Sequence, residues 1–379
     1  LRAEAPLKIT DVEAIVLRRH DPVRDISDGT QDTLVVRIHT DVGLTGIGEV
    51  DSAPEVVKAA IDAPKSHLTC AGLRHLLLGE DPRDVGRLWE KLYRGSLYFG
   101  RRGVGIHALS GIDIALWDLC GKALGQPVHR LLGGAHRDRV RAYASTLMPT
   151  TPAEAGREAE RWAAGGFTAV KLGWGGFGQS LDTDVALVEA ARRAVGDRVT
   201  LMFDIGLVWD AATAIRQVQR MERFEPYWIE EPLMPDDLRG YRRLADAVDT
   251  RIACGEQSVT RWEFEQLLDE GRVDVVQPDI AHAGGLTETR RIAEIARLRG
   301  VPCVPHAFKT GILKAATLHF LAAMPETPLL EFCVWDSPLA HDLVHPRFWI
   351  DGDGMVAVPQ EPGLGITLDE EVLARYRVA

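Results

Sequence analysis

Six ionisable residues recur along the second half of the chain at nearly constant intervals: Asp204, Glu230, Glu256, Asp279, His306 and Glu331, spaced 26, 26, 23, 27 and 25 residues apart. Each follows a short apolar run, as in Leu201-Met202-Phe203-Asp204 and Tyr227-Trp228-Ile229-Glu230. A strand of about 5 residues, a helix of about 11 and two short connections repeat every ~20 to 30 residues, so the interval is one βα unit. In a closed barrel of such units the six side chains reach one mouth, the face where catalytic groups of βα barrels collect.

Asp204, Glu230 and Glu256 are carboxylates from consecutive units. Brought together they repel unless a cation neutralises them. An oxygen-only donor set selects a hard divalent ion, most simply Mg²⁺ with water and substrate oxygens completing its shell. Glu231, beside Glu230, is equally available by residue type. A single strand-end acid commonly caps the next helix or faces water, but three in one register are poorly explained that way. Asp279 and His306 come from the next two units. A carboxylate on one imidazole nitrogen sets the tautomer and leaves the other nitrogen as a base near neutral pH. A lone histidine is as commonly a satisfied core residue, yet this one ends an apolar run and precedes a turn-rich loop. Lys171, ending Thr168-Ala169-Val170-Lys171, supplies a positive centre across the metal from the dyad. A snorkelling surface lysine is the competing reading there, and the flanking Val170 and Leu172 argue against it.

The segment Gly173-Trp174-Gly175-Gly176-Phe177-Gly178 matches the spacing of a dinucleotide-binding turn. Trp174 and Phe177 are bulky for such a loop, Lys171 precedes it, and the polar residues 179–182 delay the helix that ought to begin at the glycines.

The elements that must carry these residues follow from periodicity. Residues 12–18, 33–40 and 45–50 alternate, are rich in β-branched side chains and read as a small antiparallel sheet. Residues 53–125 turn helical, with 106–124 so apolar that this helix is expected inside the protein. Beyond Leu131-Leu132-Gly133-Gly134, eight short apolar runs (139–144, 168–172, 199–203, 227–229, 251–254, 273–276, 301–304 and 329–330) alternate with amphipathic helices. Eight such units select a closed parallel barrel of the TIM type. The expected architecture is therefore α/β: an α+β capping domain over 1–135, a (β/α) barrel over 136–345, and a segment 346–379 that returns to the cap.

The 379 residues carry 44 Lys+Arg against 55 Asp+Glu, a formal charge of -11, which disfavours nucleic acid and acidic membranes as partners. Five cysteines without CxxC spacing suggest neither a disulfide framework nor a zinc site, and a reducing cytoplasmic location fits them. The first 20 residues lack a signal-peptide core, and no run of about 20 apolar residues was expected to span a bilayer.

Together with the run Ala108-Leu109-Ser110-Gly111-Ile112-Asp113-Ile114-Ala115-Leu116-Trp117-Asp118-Leu119, Gly121-Lys122 and Leu131-Leu132-Gly133-Gly134, the ordered comb resembles the enolase superfamily, in particular its mandelate racemase subgroup with many acid-sugar dehydratases. The resemblance spans nearly the whole chain. It implies Mg²⁺ ligands at Asp204, at Glu230 as first acid of Ile229-Glu230-Glu231-Pro232, and at Glu256. It further implies a His306–Asp279 dyad, Glu331 as a neutral acid donating to a substrate carboxylate oxygen, a small-molecule sugar acid as partner, and a homo-oligomer. Two departures stand out. The second strand reads Lys171-Leu172-Gly173 where the subgroup often has Lys-x-Lys, and the third reads Asp204-Ile205-Gly206 where Asp-x-Asn is common. The missing second lysine counts against a two-base racemase or epimerase. The expected reaction is removal of the α-proton of a sugar acid by His306, with Lys171 and Glu331 stabilising the enediolate, then loss of the β-hydroxyl to give a 2-keto-3-deoxy acid. A barrel that only binds a ligand or nucleotide is the alternative from another class. Specificity is expected in the loop 20–33, where Arg24 is a substrate-binding candidate, in the loop around Ser52, and at Trp174.

Overall fold

The computed structural model describes residues 7–326 and 329–378. Strands β1 (Ile9–Arg18), β2 (Asp32–Thr40) and β3 (Thr45–Val50) form an antiparallel sheet in that order, as the alternation predicts. The helix Val104–Leu124 packs on β3 almost backbone to backbone. A Cβ at Gly48 would lie 1.9 Å from the Gly111 carbonyl oxygen, and one at Gly46 would lie 2.2 Å from that of Ala115, so only glycine permits the approach. By length and composition this helix could cross a membrane, contrary to the sequence expectation, but 83% of its apolar window is buried inside the protein. It has spent its hydrophobic surface on the cap sheet and the barrel.

The barrel strands are β4 (Arg139–Met148), β5 (Ala169–Gly175), β6 (Thr200–Asp204), β7 (Ile229–Glu230), β8 (Ile252–Cys254), β9 (Val275–Val276) and β10 (Leu330–Cys333). They pair in parallel in the order β10-β4-β5-β6-β7-β8-β9. The run 301–304, expected as a full strand, contributes only a bridge between Cys303 and Val276. Pro302 and Pro305 flank Cys303 and Val304 and have no N–H to donate, which shortens the ladder there. The chain still holds its place in the ring, since Val276 N–H donates to Pro302 O at 3.1 Å and Val304 N–H to Val276 O at 2.9 Å.

The floor inside the ring takes one side chain from each of the eight runs: Tyr143, Ala169, Met202, Trp228, Ala253, Val275, Val304 and Leu329 form a buried cluster of their own. The larger core lies outside the strands, between them and the helices, and a third cluster fills the cap. The tail reaches the cap in two stages. After β11 (Val344–His345), strand β12 (Met355–Ala357) pairs antiparallel with the start of β4, a barrel contact that was not anticipated. Then Leu364 N–H donates to Asp118 at 2.8 Å, β13 (Thr367–Leu368) pairs with β11, and Val378 N–H donates to Val16 O at 2.9 Å.

Candidate active site

Strand periodicity lifts the chemistry directly above that apolar floor. Two residues beyond a floor residue the side chain again points inward. The rule places Lys171 above Ala169, Asp204 above Met202, Glu230 above Trp228, His306 above Val304 and Glu331 above Leu329. Asp204 and Glu230 are register partners in the β6–β7 ladder. Glu256 and Asp279 lie just past β8 and β9, where the chain has left the ladder.

Oxygens of Asp204, Glu230 and Glu256 all lie within 4.8 Å of one another. The adjacent Glu231 turns away, its Oε1 accepting from Gly255 N–H at 2.9 Å and from the Cys254 thiol at 3.1 Å. This selects Glu230 as the acid that faces the other two. Glu230 accepts from Trp228 Nε1–H at 2.8 Å and pairs with Lys171, whereas Glu256 Oε2 is buried without a hydrogen-bond partner. Burial, followed by the charges of Glu230 and Glu256, pushes the Asp204 carboxyl well above its usual range. Burial pushes Glu256 to about 8. Three buried carboxyls whose oxygens face one another, one with an orphaned oxygen, are a donor set that fits a hard cation.

Across this group stands the dyad. His306 Nδ1 is 2.6 Å from Asp279 Oδ2, whose other oxygen accepts from Ala281 N–H at 2.6 Å. The carboxylate acceptor places a proton on Nδ1 and leaves Nε2, 3.5 Å from Glu256, as the nitrogen facing the acids. Burial opposes protonation of His306, but the charges of Glu256, Glu331 and Asp279 outweigh it and raise the imidazole well above its ordinary value.

Lys171, only 2% exposed, is held between Glu230 and Glu331, 2.8 Å from the latter. Burial favours its neutral form, but those two carboxylates outweigh burial and keep it cationic. Glu331 departs from the expected neutral donor. Although burial works to raise it, Lys171 and His306 bring its carboxyl down to about 2, and its Oε2 accepts from Ala307 N–H at 2.7 Å. It is an anion that fixes Lys171 and the loop after His306.

These groups open on a cavity of about 390 Å³ roofed by Ile26, Ser27, Asp28 and Gly29 of the first cap loop and by Asp51 and Ser52 of the second. Trp174 lines it. Arg24 does not: it is exposed on the same cap loop, outside the lining, because Ile26 to Gly29 and not the stretch before them turn inward. Gly173 lies so close to β6 that a Cβ there would sit 2.3 Å from Asp204 Cβ. A second lysine at that position requires the strands to separate. Sequence reasoning overlooked Asp51 and Lys309, an ion pair at 2.7 Å between the cap and the loop after His306, along with Ser145 and His282 in the lining. The one available signal was Lys309 lying three residues beyond His306.

Residues 154–372 match the enolase C-terminal domain-like family, and residues 12–133 match the mandelate racemase / muconate lactonizing enzyme N-terminal domain. A D-galactarolactone cycloisomerase from Agrobacterium fabrum is 35% identical over 91% of each chain. An arabinonate dehydratase from Saccharolobus solfataricus is 32% identical, covering 94% of this chain and 93% of its own. Among solved structures, the 3,6-anhydro-D-galactonate cycloisomerase from Zobellia galactanivorans superposes with a TM-score of 0.89 at 32% identity, covering 98% of this chain and all 100% of that one. With both domains matched, the comb of acids in register and the dyad facing them, this chain is a member of the enolase superfamily, in its mandelate racemase subgroup.

Proposed function

We propose that the protein is a carbon–oxygen lyase, a Mg²⁺-dependent dehydratase of a sugar acid. The observation that carries this reading is the meeting of His306 Nε2, the three-acid group and the Lys171 cation in one cavity. Asp204, Glu230 and Glu256 would hold the ion. When bound, Mg²⁺ neutralises the three acids and stabilises negative charge developing on the substrate carboxylate.

The protein's own groups do the rest. With Glu256 neutralised, the largest charge that raises the imidazole is gone, and His306, its Nδ1–H fixed by Asp279, takes the proton from the carbon next to the carboxylate at Nε2. Lys171 presents a buried cation to the enediolate, and Glu331 keeps that cation in place. As the enediolate collapses, the carbon–oxygen bond at the β-carbon breaks, and the proton held on His306 leaves with the hydroxyl as water. The resulting enol becomes a 2-keto-3-deoxy acid. The tight contact of Gly173 with Asp204 favours this one-base chemistry over racemisation, which needs a second base on the opposite face. The arabinonate dehydratase relative supports the choice of reaction.

The test is a sugar-acid library assayed with Mg²⁺ for 2-keto-3-deoxy product and, in deuterated water, for exchange of the α-proton. Product identifies a dehydratase; inverted acid without water loss identifies a racemase; no exchange with any acid leaves only a binding protein and rejects the proposal.

A further inference from the structure

Six carboxylates line the mouth: Asp28, Asp51, Asp204, Glu256, Asp279 and Glu331. The cationic or cation-forming side chains there are Lys171, His282 and His306, and each is engaged. Lys171 lies between Glu230 and Glu331, His306 is bonded to Asp279 at 2.6 Å, and His282 donates Nδ1–H to the Asp51 main-chain oxygen at 2.8 Å. Among the described residues no arginine lines the cavity. A substrate carboxylate therefore has one favourable berth, beside Lys171 and the three-acid group.

Asp51 lines the same cavity from the second cap loop. One of its carboxylate oxygens lies within 4.8 Å of ring and carboxylate atoms of His306 and Asp279, so it flanks the base. Lys309, only 2% exposed and not part of the lining, approaches Oδ1 at 2.7 Å from behind, while 22% of the Asp51 side-chain surface stays open. Burial disfavours its charge, but Lys309, His306 and His282 prevail and hold the carboxyl below its usual range.

We propose that Asp51 is the specificity residue of this site: it accepts hydrogen bonds from substrate hydroxyls beyond C2 and rejects a second carboxylate, so the substrates are monocarboxylic sugar acids and not dicarboxylic ones. The inference rests on the sugar-acid reading above. Hydroxyl donors to a fixed carboxylate form charge-assisted bonds. A second anion a few ångströms from Asp51 in a largely buried cavity is disfavoured on the order of 10²- to 10³-fold. Discrimination here is built from repulsion as much as from attraction.

The experiment compares kcat/KM of the Mg²⁺-loaded enzyme for an aldonate, the aldarate of the same sugar, and the monoamide of that aldarate, which keeps its shape without the second charge. The expected result is a monoamide within about tenfold of the aldonate and a diacid at least ~10²-fold below both. Asp51→Asn should then narrow the aldonate-to-aldarate ratio by at least about tenfold, while Asp51→Glu retains it. A diacid turned over as well as the monoamide overturns the proposal, as does an Asp51→Asn variant with the original ratio. Should the Asn variant fail to fold once Lys309 loses its partner, the monoamide comparison on the unaltered enzyme decides. Turnover that favours diacids defeats this inference alone; absence of both turnover and α-proton exchange with all three acids defeats the functional reading, and this inference with it.

Discussion

Two sets of buried carboxylates in this protein differ in how their oxygens are used. At the joint between cap and barrel, Asp113 accepts from Thr287 N–H at 2.9 Å and from its hydroxyl at 2.6 Å. Asp118 accepts from Ile47 N–H, Leu364 N–H and Lys122. Glu49 accepts from the hydroxyls of Thr33 and Thr310 and from Leu313 N–H. Each of these oxygens is satisfied, and donors from β2, β3, two barrel helices and the tail converge on three side chains. At the mouth, Asp204, Glu230 and Glu256 face one another, and Glu256 Oε2 lacks a hydrogen-bond partner. Burial alone does not separate structural from functional acids. What their oxygens face does: at the joint, donors from other elements, and at the mouth, one another.

The comparison is sharpened most by His306→Asn, which should lower kcat by about 10²- to 10⁴-fold. The variant should still show the Mg²⁺-induced rise in melting temperature, since none of the three acids is altered. A variant that retains full turnover would break the assignment of the base. Next in size, Glu256→Gln should abolish the Mg²⁺-induced stabilisation, worth about 2.7 kcal/mol at a hundredfold excess over Kd. Without the ion the same variant should be at least as stable as the parent above pH 8, where one repelling charge has gone. Calorimetry with and without Mg²⁺ reads both halves.

The joint should respond in the opposite way. Asp113→Ala is expected to cost about 1–3 kcal/mol by urea unfolding, with or without Mg²⁺, because Thr287 loses the acceptor for two buried donors. A loss that Mg²⁺ restores would place Asp113 with the mouth acids. The smallest effect is on pH dependence. Burial raises Asp113 and Glu49 to about 7 each, although their hydrogen bonds pull the other way. An acid whose folded pKa lies above its unfolded value adds stability that is complete below the unfolded pKa, near 4, and is lost as the pH rises through the folded one. Between pH 4 and 8, Asp113→Asn should therefore flatten the decline in unfolding free energy seen in the parent. An unchanged slope would show that Asp113 is ionised throughout.

Much of this site was legible because one period served two purposes. The roughly 25-residue interval located the units, and the two-residue alternation within each strand sets Lys171, Asp204, Glu230, His306 and Glu331 above an apolar floor. The cap strands and the helix Val104–Leu124 were legible for the same reason, being long and strongly patterned. What escaped lies where the pattern stops. The prolines around Cys303 reduced a strand to a bridge. Arg24 carries a charge in the first cap loop, yet the neighbouring Ile26 to Gly29 line the cavity. Asp51 and Lys309, 258 residues apart, carry no local mark of their pairing.

The amino-acid sequence by itself determined the order of units, the identity of the acids and the histidine on successive units, and the absence of a second lysine at Gly173, because these are properties of residue type and spacing. Only the tertiary structure decided which of Glu230 and Glu231 faces the cavity, that Glu331 is held as an anion, and that Asp51 stands beside His306. Those outcomes depend on distances between charges brought together from remote parts of the chain, and electrostatic energy follows separation in space, not along the sequence.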